Sequence, residues 1–324
     1  MLNKKGERTM EHIKSKIDVY TVKFTQVKSS ILRESTIINY ETYIQKYIKP
    51  YFKGKYIEDI TIKEIEEFVA YLNSIKRYKT ISNIVSVLKQ ILDLAVKDGI
   101  ISNNPCRYIK LIKEEKKQEQ DLATDEEIGK IIEAAKKTML KGGIGIILSA
   151  RLGLRRNEGL ALKWGDLKYD AHNDLYLEIK NSLTRSTGDK SYKIGSTKTE
   201  ESKRKIYLSE ELTNLILDYK SEYKNKCKSF DDECFLIPRK YDEPHLFKLP
   251  STYSYYFDSL KKEAGVRKSI TLHSLRHYFV SKQIHNGIPI DVVKSWVGHK
   301  SIATTIDTYT HTSGNDIKAF KENL

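Results

Sequence analysis

The chain has 324 residues and carries 57 Lys and Arg against 43 Asp and Glu, a formal net charge of +14. That length accommodates about two ordinary domains, each burying its own core, and a field of that sign favours polyanionic partners. No apolar run of roughly 18 residues could span a bilayer, the opening MLNKKGERTMEHIK lacks the apolar stretch of a secretory signal, and the dispersed Cys106, Cys227 and Cys234 give neither a disulfide framework nor a Cys-x-x-Cys zinc site, so a cytoplasmic chain with no membrane partner is expected.

Residues 1–16 show no apolar period and are expected to be flexible. After Ser35 a helical spacing begins, with Ile37, Tyr40, Ile44, Tyr47 and Ile48, and Pro50 is expected to stop it. Thr61 and Glu64 form a capping box that opens a second helix through Phe68, Tyr71 and Leu72. Lys76, Arg77 and Lys79 cluster before a third helix, whose apolar face is Ile81, Ile84, Leu88, Ile91, Leu92 and Ala95 and which ends at Gly99. Residues 17–112 therefore read as an all-helical basic domain. The three cations at 76–79 suit phosphate contacts or a solvated face equally well.

The mixed-charge run at 113–122 breaks every apolar period and reads as a solvated linker. A second domain, 123–310, opens on the capping box Thr124 to Glu127, with Ile128, Ile131, Ile132 and Ala135 on one side. A short apolar stretch at 144–148 leads into Arg151-Leu-Gly-Leu-Arg-Arg-Asn-Glu158. Residues 174–179 alternate as a strand and 206–208 look like its partner. Between them, 185–205 is polar and basic and reads as a mobile hairpin. Ser209 starts a further helix, and 223–250, punctuated by Pro238, Pro244 and Pro250, reads as irregular.

From 270 to 311 the residue types point to chemistry. His273 and Arg276, three apart, leave one face of a helix together; His299 follows Gly298, and Tyr309 lies ten residues further on. A tyrosine hydroxyl, with a reference pKa near ~10, is a poor nucleophile until a charged site activates it. Cationic donors gathered about one tyrosine suggest attack on an anion, and a phosphate is the natural candidate. His273 and His277 at i, i+4 imitate a zinc pair, but HSLRH lacks the glutamate of HExxH and places an arginine between the rings, so no metal is expected there. There is no GxxxxGK[ST] phosphate loop.

Gly153-Leu-Arg-Arg-Asn-Glu158 resembles the first signature of the tyrosine recombinases, the phage-integrase family. His273-Ser-Leu-Arg-His277, Gly298-His299 and Tyr309-Thr-His311 resemble the second. The motifs stand in family order over residues 20–311. The resemblance implies a helical N-terminal core-DNA-binding domain joined to a mixed α/β catalytic domain, mainly α with a small antiparallel sheet, the two forming a clamp on duplex DNA. It implies Tyr309 as nucleophile, Arg155, Lys198, His273, Arg276 and His299 as the supporting site, and Glu158 as an acid that orients its neighbours. Arg151 and Arg156 compete with Arg155 on sequence, as Lys190, Lys193 and Lys203 compete with Lys198. Lys203 and Arg204 join Lys76, Arg77 and Lys79 as candidate DNA contacts.

Each implied role has a chemical reason. Two guanidiniums clamp the charge that builds on the non-bridging oxygens, Lys198 protonates the leaving 5′-hydroxyl, His273 takes or buffers the tyrosine proton, and His299 hydrogen-bonds the phosphate. Arginine and lysine supply the positive charge, so no cofactor is implied. Leu152 stands where Thr or Ser is common, and Ser274 where Asp is common; neither replaces a reacting group. The expected activity is site-specific recombination on the nucleoid. A homotetramer on two DNA sites would pass through a Holliday junction, with the tail 311–324 docking on a neighbouring protomer and an excisionase or DNA-bending protein as possible accessory. A mobile-element integrase without an evident arm-binding domain is the type implied. A chromosome-dimer-resolving recombinase, a type IB topoisomerase and a non-catalytic DNA-binding relative are the rivals.

Overall fold

The structure is a computed structural model that describes residues 15–112, 123–187, 191–196 and 203–298. The chain divides into two compact units, residues up to 117 with 185–191, and the remainder.

The first unit is built on helices. Helix α1 (Ile17–Ser29) buries Ile17, Tyr20 and Phe24, although the apolar period becomes obvious only after Ser35. Its start is tied down: the Ser15 N–H donates to Glu58, and Lys16 forms a β-bridge with Tyr56. Ser15 and Lys16 thus depart from the flexible terminus expected through residue 16. Helix α2 (Glu34–Tyr43) runs into a π-helical turn (Ile44–Ile48) and a last helical turn, α3 (Lys49–Tyr51). The helical path thus passes Pro50 rather than stopping at it, because a proline near the start of a turn has no N–H to satisfy there.

Helix α4 (Ile62–Ile75) opens on the expected box: Thr61 Oγ1 accepts from the Glu64 N–H, and the Glu64 carboxylate accepts from the Thr61 N–H. Helix α5 (Tyr78–Lys97) buries Ile81, Ile84, Leu88, Ile91, Leu92 and Ala95 against Ile17, Ile48, Phe52 and Phe68 in one core. Phe68 also packs with Tyr51 and Phe52 at ring centroids of 4.8 and 5.1 Å.

In the second unit, α6 (Asp125–Lys136) opens on a Thr124/Glu127 capping box and packs on α7 (Gly143–Leu152), which is buried along its length apart from Arg151. After the single turn α8 (Arg156–Gly159) come β1 (Leu167–Tyr169), β2 (Leu175–Ile179), β3 (Asn181–Arg185), β4 (Tyr192–Ser196) and β5 (Arg204–Tyr207). Strands β1, β2 and β5 form an antiparallel sheet in that order, with Leu177 opposite Ile206 and Ile179 opposite Arg204. Strands β3 and β4 pair separately, so the described part of the polar 185–205 stretch carries regular structure.

Helix α9 (Glu210–Lys226) presents Tyr219 and Tyr223 to the buried Trp164. The stretch read as irregular holds the end of α9 and a hairpin, β6 (Pro238–Lys240) and β7 (Glu243–Phe247). Three helices follow: α10 (Pro250–Glu263), α11 (Leu272–His285) and α12 (Ile290–Val297).

Candidate active site

Helix α7 ends where Gly153 adopts φ 67°, and a Cβ there would lie 2.6 Å from the Phe279 ring and 3.0 Å from Val297. Only glycine combines that left-handed turn with so close an approach of α11 and α12. The turn buries Leu154 and puts Arg155 at the N-cap of α8. Glu158, three residues on and 2% exposed, reaches back: its Oε2 accepts the Arg155 N–H at 3.0 Å and its Oε1 accepts Arg155 Nη1 at 2.6 Å.

A third arginine joins them. Arg204, at the start of β5, donates from Nη2 to Glu158 Oε2 at 2.9 Å and from Nε to the Trp296 carbonyl at 2.6 Å, and its side chain is 6% exposed. Arg276, on α11 and 2% exposed, donates to the carbonyls of Gly153 and Val297 at 2.6 and 2.7 Å. Arg155 Nη2 donates to the Gly298 carbonyl at 2.8 Å. Three guanidiniums from three distant elements therefore occupy three successive carbonyls, Trp296, Val297 and Gly298, at the end of α12. Those groups have no partner within their own helix and lie at the negative end of its dipole, where cations are favoured. Gly298, at φ 66°, supplies the left-handed residue that closes the helix.

The electrostatics follow from this crowding. Burial opposes the charge on Glu158, yet Arg204, Arg155 and Arg276 outweigh it and hold the carboxyl below its usual range. Among the described residues, one carboxylate against three guanidiniums leaves a surplus of positive charge in a largely buried place, a setting that favours an incoming anion. Arg276 is itself pushed down, by burial and then by Arg155.

His273, in the first turn of α11, is lowered by burial and then by Arg276 and Arg155, which leaves a neutral imidazole at pH 7. His277 lies edge-on to it, with ring centroids 4.3 Å apart, and is pushed down to about 4 by burial and by His273 and Arg276. Ser274 completes the cap of α11: its Oγ accepts the Thr271 N–H at 3.0 Å while Thr271 Oγ1 accepts the Ser274 N–H at 3.1 Å. A serine can therefore stand where the signature commonly has aspartate.

Of the residues expected from sequence, Arg155, Glu158, His273 and Arg276 are brought together here. Lys198, His299 and Tyr309 lie outside the described residues, as do 1–14, 113–122 and the tail. Arg204, expected among the DNA contacts, is turned inward by β5 beside Ile206 and donates to Glu158. Period-two alternation was the available signal: Arg204 and the buried Ile206 share a strand face while Lys205 and Tyr207 are exposed. Lys203 is exposed, and so are Arg77 and Lys79, whereas the half-buried Lys76 folds over the Tyr47 ring at 5.3 Å. Sequence reasoning also missed Lys261. Its buried ammonium donates to the carbonyls of Lys268 and Ile270 at 3.1 and 2.5 Å and fixes the turn that leads to His273.

Comparison with known proteins gives the family and the fold. The ICEBs1 integrase of Bacillus subtilis (strain 168) is 28% identical over 295 residues, covering 88% of this chain and 76% of its own length. The transposase from transposon Tn916 of Enterococcus faecalis is 26% identical over 259 residues, which are 76% of this chain and 62% of that protein. In fold, the Tn1549 transposon integrase, solved in complex with transposon right end DNA, matches with a TM-score of 0.76 at 21% identity, over 95% of this chain and 99% of that one. A lambda integrase tetramer bound to a Holliday junction gives 0.66 at 19% identity, over 91% and 78%. Residues 19–73 match the phage integrase N-terminal SAM-like domain. The phage integrase family model itself matches residues 121–315, more than half of the sequence and the whole of the arginine cluster, so this chain belongs to the phage integrase family.

Proposed function

We propose that this chain is a site-specific DNA recombinase of a mobile element, breaking and rejoining duplex DNA through a 3′-phosphotyrosine on Tyr309 in integration and excision. The observation that carries this reading is the cluster of the part-exposed Arg155 with the buried side chains of Arg204 and Arg276 around the carboxylate of Glu158. Membership of the family and relatives named integrase and transposase support it.

In the proposed reaction the Tyr309 oxygen attacks the scissile phosphorus in line, and the bond to the 5′-oxygen breaks. Arg155 and Arg276 stabilise the charge that develops on the non-bridging oxygens. A preorganised donor of this kind is typically worth about 10²- to 10³-fold in rate. His273, neutral at pH 7, receives the tyrosine proton; Lys198 protonates the leaving 5′-hydroxyl; His299 donates to the phosphate. The phosphotyrosine conserves the energy of the phosphodiester, so a 5′-hydroxyl from a second duplex restores the backbone without ATP. Four protomers on two sites would exchange strands in turn through a Holliday junction, the assembly in which lambda integrase has been solved. The proposed division of labour is DNA-core binding by 17–112, a linker at 113–122, catalysis by 123–310 and trans docking by the tail 311–324.

Tyr309→Phe is expected to retain site binding in a mobility shift and to form no covalent adduct on a nicked suicide substrate. An undiminished adduct removes Tyr309 from the role.

A further inference from the structure

A second group of chemically capable side chains lies apart from the arginine cluster. Among the described residues, Asp231, Cys234 and His245 place their ligand atoms within 4.8 Å of one another. Cys234 Sγ is 3.8 Å from His245 Nε2 and 3.4 Å from Asp231 Oδ1, and Nε2 is 3.1 Å from that same oxygen. A tetrahedral zinc with ordinary bond lengths to sulfur, imidazole nitrogen and carboxylate oxygen sets those three edges at about 3.6, 3.5 and 3.3 Å. The triangle is thus already within a few tenths of an ångström of the one that an ion would impose.

From this geometry we propose that Asp231, Cys234 and His245 form a structural zinc site, with a water as fourth ligand. Thiolate with imidazole is the donor pair that selects zinc over the hard cations. Cys234 is fully buried, whereas the His245 and Asp231 side chains are about half exposed, so the ion enters from solvent and finds its sulfur at the bottom of the site. Asp231 can serve the turn and the ion together. Its Oδ1, the oxygen of that triangle, also accepts the N–H groups of Glu233 and Cys234 at 2.9 and 3.1 Å and is held in place by them, while Oδ2 lies 2.9 Å from Nε2. Binding releases the Cys234 thiol proton and takes His245 as the neutral imidazole through Nε2, with its proton on Nδ1.

The site has structural work available to it. Strands β6 and β7 are three and five residues long and their pairing carries a register irregularity, so the hairpin is marginal by itself. The ion would bolt β7, through His245, to the 231–234 turn. That turn runs beside the segment that follows α8. Trp164 N–H donates to the Cys234 carbonyl at 3.0 Å, Gly165 N–H to Asp232 at 2.8 Å, and Leu236 N–H to Leu162 at 2.9 Å. The clip therefore backs the stretch of chain that positions Glu158 and Arg155. No Cys-x-x-Cys spacing announces it, because two of the donors come from a turn and the third, in a strand, lies eleven residues beyond Cys234.

The test is a cobalt(II) titration of reduced, tag-free, full-length protein. One equivalent is expected to produce a thiolate-to-cobalt charge-transfer band. The band is expected to be lost in Cys234→Ser and in His245→Ala and kept in Cys106→Ser and Cys227→Ser. His245→Ala leaves the core untouched, so its folding is not at issue. Zinc alone should raise the melting temperature of the native chain and leave that of His245→Ala unmoved. Absence of the band in the native chain, its survival in Cys234→Ser or His245→Ala, or equal zinc shifts in the native chain and His245→Ala would each overturn the site.

Discussion

Helix α5 of the first unit runs for 20 residues and buries an apolar side chain on every turn, whereas α12 of the second is eight residues long and buries only Val293 and Val297. An eight-residue helix has little stability of its own, and α12 is fixed at its end, where Arg204, Arg276 and Arg155 hold its last carbonyls. Apolar burial is non-directional and graded, so α5 tolerates repacking. Charge held against a helix end in a poorly hydrated place depends on every partner at once. The first arrangement gives a scaffold; the second also leaves surplus positive charge where an anion can be bound.

The largest effect should come from attacking the charge-held end. Glu158→Ala leaves three neighbouring guanidiniums without their counter-ion and should cost about 3–5 kcal/mol, the range for breaking a buried pair. Both tryptophans, Trp164 and Trp296, belong to the second unit, so the loss should be read in tryptophan fluorescence during denaturation; a loss under about 1 kcal/mol would show that the network does not hold α12. Next, Leu88→Ala in the α5 core should cost about 3 kcal/mol. It should lower the far-ultraviolet circular dichroism transition while leaving the fluorescence transition in place, and a fluorescence shift of equal size would erase the contrast.

The smallest effect concerns pH. His277 is depressed in the folded protein to about 4 from an ordinary value of 6.5. Its contribution to stability is therefore complete above about pH 6.5, where the unfolded ring is neutral too, and is lost as pH falls through 6.5 towards 4. His277→Gln should flatten the stability curve over that window alone. Parallel curves for the two proteins would assign the acid sensitivity elsewhere.

What was legible in the sequence was local. The apolar face of α5 and the capping boxes at Thr61 and Thr124 depend on residues three or four apart, and the structure has them as spaced. Strand β2 and its partner β5 showed through alternation. Helix α1 did not, because Ile17, Tyr20 and Phe24 are its only large apolar anchors among exposed valines and polar residues. The β6–β7 hairpin was hidden by its prolines. At the candidate active site, Arg155, Glu158, His273 and Arg276 could be picked out because short motifs carry them. Arg204 could not be assigned its partners, since alternation gives only its face and the approach of α8 and α12 decides what it meets there.

The hold on α12 also has a bearing on how lengths of chain are measured. Trp296, Val297 and Gly298 are pinned by residues 92, 21 and 143 positions away, so Gly298 is a datum, and anything attached after it is reckoned from a point that three distant parts of the sequence agree upon. Within α12 one residue more or fewer would move that end by about 1.5 Å along the helix axis and about 100° around it, so the number of residues from Ile290 to Val297 is held as tightly as their identity.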